Sequence, residues 1–255
     1  MDFEERKELI EIKYSQYNQP EFISTDPVSI PHRYTKKEDI EIAAFLVATI
    51  AWGYRPNIIK SADKMMKLLN DSPYDFIINA KEKDLKLLQT FVHRTFNGDD
   101  LLFFIHSLKN IHKNHNGLQA VFYNGYKKNK SIKESIIYFR KIFFECEHLH
   151  RSEKHISNPE KNSACKRINL FLRWMIRNDS RGVDLGIWNN IPSSALFCPL
   201  DLHSGNVSRK IGLLSRKQSD WKAVEELTAN LRKLDPDDPV KYDFALFGLG
   251  IFEKF

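Results

Sequence analysis

A chain of 255 residues, 42% of them hydrophobic, can bury a real core as one domain or as two packed lobes. Its formal net charge of +6 is unevenly spread: Lys127 to Arg181 holds 14 Lys and Arg against 6 Asp and Glu, which leaves −2 for the rest. Three widely spaced cysteines (Cys146, Cys165, Cys198) exclude a disulfide framework and a four-thiolate metal or iron–sulfur site.

In chain order, the opening MDFEERKE offers no basic, apolar leader, so no export signal and a cytoplasmic location are expected. A helix is predicted near 3–17, followed by the loop NQPEFISTDPVSIPHR. TKKE (Thr35 to Glu38) reads as a capping box before the apolar run Ile42 to Trp52, with Gly53 placed to end that helix. The run is too short to span a bilayer and reads as a buried helix. Further helices are predicted near 57–70, 99–116, 130–149, 163–178, 203–213 and 220–233. A last one covers 239–253, with Asp238 as its cap and Pro239 at the first position. The loop NDSRGVDLGIWNNIPSS interrupts the second half. No strand-like alternation and no repeat stands out, and the fold class is all-α.

Cys146, His148 and His150 in CEHLH suggest metal ligands, but on a helix His148 points away from the other two, and no metal is assigned. His112 and His115 lack a third ligand. The FGLG glycines read as helix packing, and Trp52, Trp174, Trp188 and Trp221 as core.

Two stretches carry chemistry. In NSACKRINLFLRWMIR, Ala164, Ile168, Phe171 and Met175 form an apolar face. At 100° per residue, Arg173 and Arg177 fall within about 20° of Lys166 on the other side, as a basic stripe. The helix dipole and these arginines favour loss of the Lys166 proton, towards a nucleophilic amine. The bland alternative is a solvated lysine. In CPLDLHSGNVSRKIG, Asp201 opens a basic helix, either as a simple cap or with its carboxylate on a substrate. The basic middle suggests a polyanion-binding face, with a solvated helix surface as the alternative.

A helix opening with a lysine, then a loop, then P-L-D-x-H opening a second basic helix resembles the helix-hairpin-helix DNA glycosylase superfamily. Within it the chain is most similar to the 8-oxoguanine glycosylases, including the archaeal branch. The resemblance covers roughly residues 160 to 251, with KYDFALFGLGI (Lys241 to Ile251) like the family's closing core helix. As a whole the chain also resembles an uncharacterised bacterial family. The superfamily resemblance implies two packed helical lobes, approximately 36–160 and 1–35 plus 161–255. It implies Lys166 as Schiff-base lysine, Asp201 as catalytic carboxylate, and His203 as a phosphate contact. Asp243 and Phe247, four apart on one helix, would read and stack the base; Arg173, Arg177 and Arg209 are further candidates for gripping the DNA backbone. Expected is a DNA glycosylase and abasic-site lyase for an oxidised purine, a nucleoid-associated monomer needing no cofactor and no membrane. The alternatives are a non-catalytic DNA-binding module and a structural or protein-interaction domain. Two departures are visible: the glycine-rich hairpin turn is replaced by EKNSA, and Asp201 follows Lys166 by 35 positions.

Overall fold

The structure, a computed structural model describing residues 1–255, is mostly helical. In order these are α1 (Phe3–Tyr17), α2 (Glu21–Ser24), α3 (Lys37–Thr49), α4 (Arg55–Leu68), α5 (Pro73–Asn79), α6 (Glu82–Leu88), α7 (Gly98–Asn114), α8 (Gly117–Lys127), α9 (Ile132–Phe143), α10 (Lys166–Ile176), α11 (Leu202–Lys210), α12 (Trp221–Leu234) and α13 (Asp243–Ile251). One two-residue antiparallel pair, β1 (Val92–His93) and β2 (Phe96–Asn97), stands before α7, with His93 opposite Phe96. No helix is long and apolar enough to cross a membrane.

The chain divides into two compact units. One joins Met1–Ile23 to Asn158–Phe255; the other is Ser24–Ser157. The sequence reading draws its lobe boundaries after residues 35 and 160. In the Ser24–Ser157 unit, α9 shows why these segments are helical and where they pack. Ile132, Ile136, Phe139 and Phe143 recur at helical spacing, all are buried, and polar residues fill the opposite side. Phe139 stacks on Phe122 of α8, and Phe143 packs on Phe45 and Phe104. The α7 start is fixed by a reciprocal cap: Asn97 accepts from the Asp100 amide and Asp100 from the Asn97 amide.

Local signals fail where tertiary contacts outbid them. The TKKE capping box does not form; α3 begins at Lys37 behind Lys36, which makes no side-chain cap bond. The same helix stops at Thr49, before Gly53. Gly53 instead turns the chain at φ +108° towards α4, where a Cβ would sit 2.8 Å from Arg94 Nη1. α9 ends at Phe143 rather than near 149, so CEHLH lies outside it, with only His150 in a following 3₁₀ turn. Its members are used separately: Cys146 donates to the His106 carbonyl, and His148 and His150 both lie against Glu153. At the other end, Asp238 takes the N-cap position before Pro239 but makes no side-chain cap bond. Pro239–Tyr242 form a 3₁₀ turn, and α13 starts only at Asp243.

In the Met1–Ile23 and Asn158–Phe255 unit, α1 and α11 pack on α13. Trp174, Trp188 and Trp221 are buried there, while Trp52 in the other unit is half-buried. The FGLG glycines are where α13 is approached most closely: a Cβ on Gly248 would lie 2.0 Å from the Tyr17 ring of α1, and one on Gly250 3.0 Å from His203 Cβ of α11. Alanine raises helix propensity by ~1 kcal/mol, and overpacking costs ~1–3 kcal/mol or more when neither backbone can yield. Gly248→Ala should therefore lower stability by at least ~1 kcal/mol net in urea unfolding, and Gly250→Ala by less. Equal effects would mean that the Tyr17 approach is not what the glycine serves.

Candidate active site

The candidate site lies where two helices of the Met1–Ile23 and Asn158–Phe255 unit begin. α10 follows a turn in which Asn162 (φ 60°) and Cys165 (φ 49°) take left-handed conformations. Asn162 is braced from α12: its side chain donates to Asp220 at 2.9 Å and its carbonyl accepts from the Trp221 amide. Cys165 is buried and makes no side-chain cap bond, so Lys166 stands first in α10.

Asp201 is both a cap and something more. Its Oδ1 accepts from the Ser204 amide at 2.9 Å, while its own amide donates to Ser204 Oγ. Its Oδ2 faces Lys166 Nζ at 3.6 Å, with the two side chains 24% and 30% exposed. The separation exceeds a hydrogen bond, and neither group is sealed, so a ligand can reach both. Burial alone would raise the Asp201 carboxyl. The Lys166 charge and the Ser204 hydrogen bonds outweigh it and hold the group below the ordinary carboxylate range.

The basic stripe points inward, which corrects the reading of Arg173 and Arg177 as DNA-backbone contacts. Both guanidiniums are buried. Arg173 donates to Asp184 at 3.1 Å and to Asp243, and lies over the Phe244 ring. Arg177 donates to Asp184 at 3.0 Å, Asp238 at 2.9 Å, Asp179 at 2.7 Å and the Tyr14 hydroxyl. Burial would lower the Arg177 pKa, but Asp184, Asp238 and Asp179 together raise it. Neither arginine is a free charge, since carboxylates compensate both. Arg209 is half-buried and spends its guanidinium on the Arg216 carbonyl and Ser219 hydroxyl. His203 is exposed on the first turn of α11.

Asp243 is brought to the same place. It pairs with Arg173, and the Cys198 thiol lies 3.9 Å from its second oxygen. Burial pushes its carboxyl up to about 6 against the pull of Arg173, and Asp201 and Lys166 both act on it electrostatically. Phe247, one turn along, is half-buried and meets Phe22 and Phe252 edge-on. Asp184, Asp179, Asp238 and Cys198 escape the sequence reading. No local signal marks them, since helical spacing alone does not say whether a basic stripe faces water or core. No group of three or more His, Cys, Asp or Glu side chains is placed to hold a metal.

The chain belongs to a family described as "Protein of unknown function (DUF2400)", which matches residues 26–252 and so takes in Lys166, Asp201 and Asp243. No curated protein and no solved structure matches it. The inward arginines give a sharp test. Removing one partner of a buried ion pair strands the others, at a cost of ~3–5 kcal/mol. Arg177→Met should lose about that much stability in chemical denaturation. A variant with native stability but weaker, less salt-dependent DNA binding would return Arg177 to the surface.

Proposed function

We propose that the chain is a lysine-dependent DNA glycosylase with abasic-site lyase activity, on a helix-hairpin-helix glycosylase-like fold, acting on duplex DNA that carries an oxidised purine such as 8-oxoguanine. The observation that carries the reading is the meeting of Lys166 and Asp201, 35 positions apart, at 3.6 Å and within reach of solvent. Surface ion pairs add little stability, typically ~0–1 kcal/mol, so stability alone is a poor reason for this one.

The chemistry uses these groups directly. The target base is first flipped out of the duplex. As the bond between the base nitrogen and C1′ breaks, its electron pair leaves with the base, which then takes up a proton. Asp201 stabilises the positive charge that develops on the sugar. The neutral Lys166 amine bonds to C1′, the sugar ring opens and an imine forms. Loss of a C2′ proton then expels the 3′ phosphate and cuts the strand. No metal or organic cofactor is called for. Asp243 accepts hydrogen bonds from the two adjacent N–H donors of a guanine-type edge, and Phe247 stacks on the base. His203 remains the candidate phosphate contact, with Arg209 beside it in α11.

Borohydride should trap a covalent adduct with an abasic or 8-oxoguanine duplex, and Lys166→Gln should abolish it. An adduct that survives in that variant moves the nucleophile elsewhere; no adduct with wild type favours the non-catalytic DNA-binding module. Asp201→Asn keeps much of the cap, so stability should change by less than ~1 kcal/mol while single-turnover base release falls at least about a hundredfold. Equal rates in the two proteins would leave Asp201 as a cap alone.

Base reading has its own signature. With the Asp243 carboxyl at about 6, the accepting, ionised form declines as pH falls through that value. Between pH 7 and pH 5, release of 8-oxoguanine should fall about tenfold more than lyase turnover on a preformed abasic site, which has no base to read. Asp243→Ala should remove that difference along with most base release. Parallel profiles, or a preference for oxidised pyrimidines, would refute the assignment.

A further inference from the structure

The α10 stripe has a neutral member between Lys166 and Arg173. Asn169 lies one turn from each, within about 60° of Lys166 around the helix. It is 1% exposed. Its Nδ2 donates to the Ala164 carbonyl at 3.2 Å, which fixes which end of the amide is the oxygen. Its Oδ1 is buried and meets no donor. Every other polar member of the stripe has a partner: Lys166 faces Asp201, Arg173 holds Asp184 and Asp243, and Arg177 holds Asp184, Asp238 and Asp179. A buried acceptor without a donor is costly and calls for an explanation.

We infer that Asn169 is a positioning residue for the Lys166 amine, its Oδ1 accepting an N–H from Nζ as the amine turns from Asp201 towards the sugar. The inference rests on Lys166 being the nucleophile. An attacking amine needs its lone pair on the reacting carbon and its N–H bonds held on the far side. A carboxylate alone would hold the ammonium form and keep the proton on nitrogen. A carboxamide oxygen carries no net charge, so it orients a neutral amine without that penalty. The 3.6 Å gap to Asp201 exceeds hydrogen-bond range.

The test compares Asn169→Leu, which removes the acceptor, with Asn169→Asp, which charges it. In the leucine variant, borohydride trapping should slow at least about tenfold at saturating DNA with the affinity unchanged. In the aspartate variant the ammonium is favoured, so the pH midpoint of trapping should rise by about one unit and the rate recover at high pH. If Asn169 only clamps Ala164, both variants lose rate in step with their thermal stability and keep the wild-type midpoint, which would overturn the inference. A readout without DNA separates it from the glycosylase reading: the Lys166 amine, followed by NMR after reductive ¹³C-methylation, should titrate higher in Asn169→Asp than in wild type. An unmoved titration sinks the Asn169 assignment even if trapping succeeds. Absence of any wild-type adduct sinks the glycosylase reading instead, and the titration then still decides whether Asn169 faces Lys166.

Discussion

Asp184 holds two guanidiniums one helical turn apart, and the rest of the site follows from that. Its carboxylate takes Arg173 on one oxygen and Arg177 on the other. Those arginines in turn reach Asp243 at the start of α13 and Asp238 just before it. Charges this deep are tolerated only when paired, so α10 cannot rotate about its axis without stranding several of them. That fixes the direction of the whole stripe. Lys166 lies between the two arginines in angle, and therefore comes off α10 on the same inward side. It is also the first residue of the helix, where the stripe emerges from the core. The amine is thus aimed by a buried network, yet left within reach of solvent beside Asp201.

The two oxygens of Asp201 divide its work. One holds the first turn of α11 through Ser204, and the other faces the amine. Capping and electrostatics can therefore be separated by an amide substitution, as they could not be if one oxygen served both. Asp243 is the contrasting carboxylate: buried, paired with Arg173 and pushed up to about 6, while the more open Asp201 is held down. Two carboxylates with opposite shifts beside one lysine suit different roles, charge stabilisation for Asp201 and hydrogen bonding to a ligand for Asp243.

The sequence discloses the parts of this arrangement that depend on local chemistry. Helical periodicity gives α1 from Phe3 to Tyr17, and the P-L-D-x-H stretch marks Asp201 as an N-cap. Periodicity also places Lys166, Arg173 and Arg177 on one stripe, but angle alone does not say whether a stripe faces water or core. The deciding carboxylates arrive from Asp184, Asp238 and Asp243, and no local pattern ties those to Arg173. The same limit applies to the capping residues: TKKE has the right letters, and Asp238 the right place before a proline. The α3 start nonetheless passes without a side-chain cap, and the Asp238 carboxylate is taken by Arg177.

The turn before α10 takes left-handed backbone at two positions without glycine. Left-handed backbone is nearly free for glycine, tolerable for asparagine, and strained for a residue such as cysteine. Here Asn162 and Cys165 adopt it, so the strain must be outweighed by contacts elsewhere. The Asn162 side chain is turned aside to Asp220, its carbonyl takes the Trp221 amide, and Ser163 pairs with Asp220 as an isolated bridge. Asp220 is itself locked by Arg216, which pushes its carboxyl far down, and it caps α12 through the Ala223 amide. Cys165 points into the core. The turn holds its two left-handed positions without glycine because it is braced against α12.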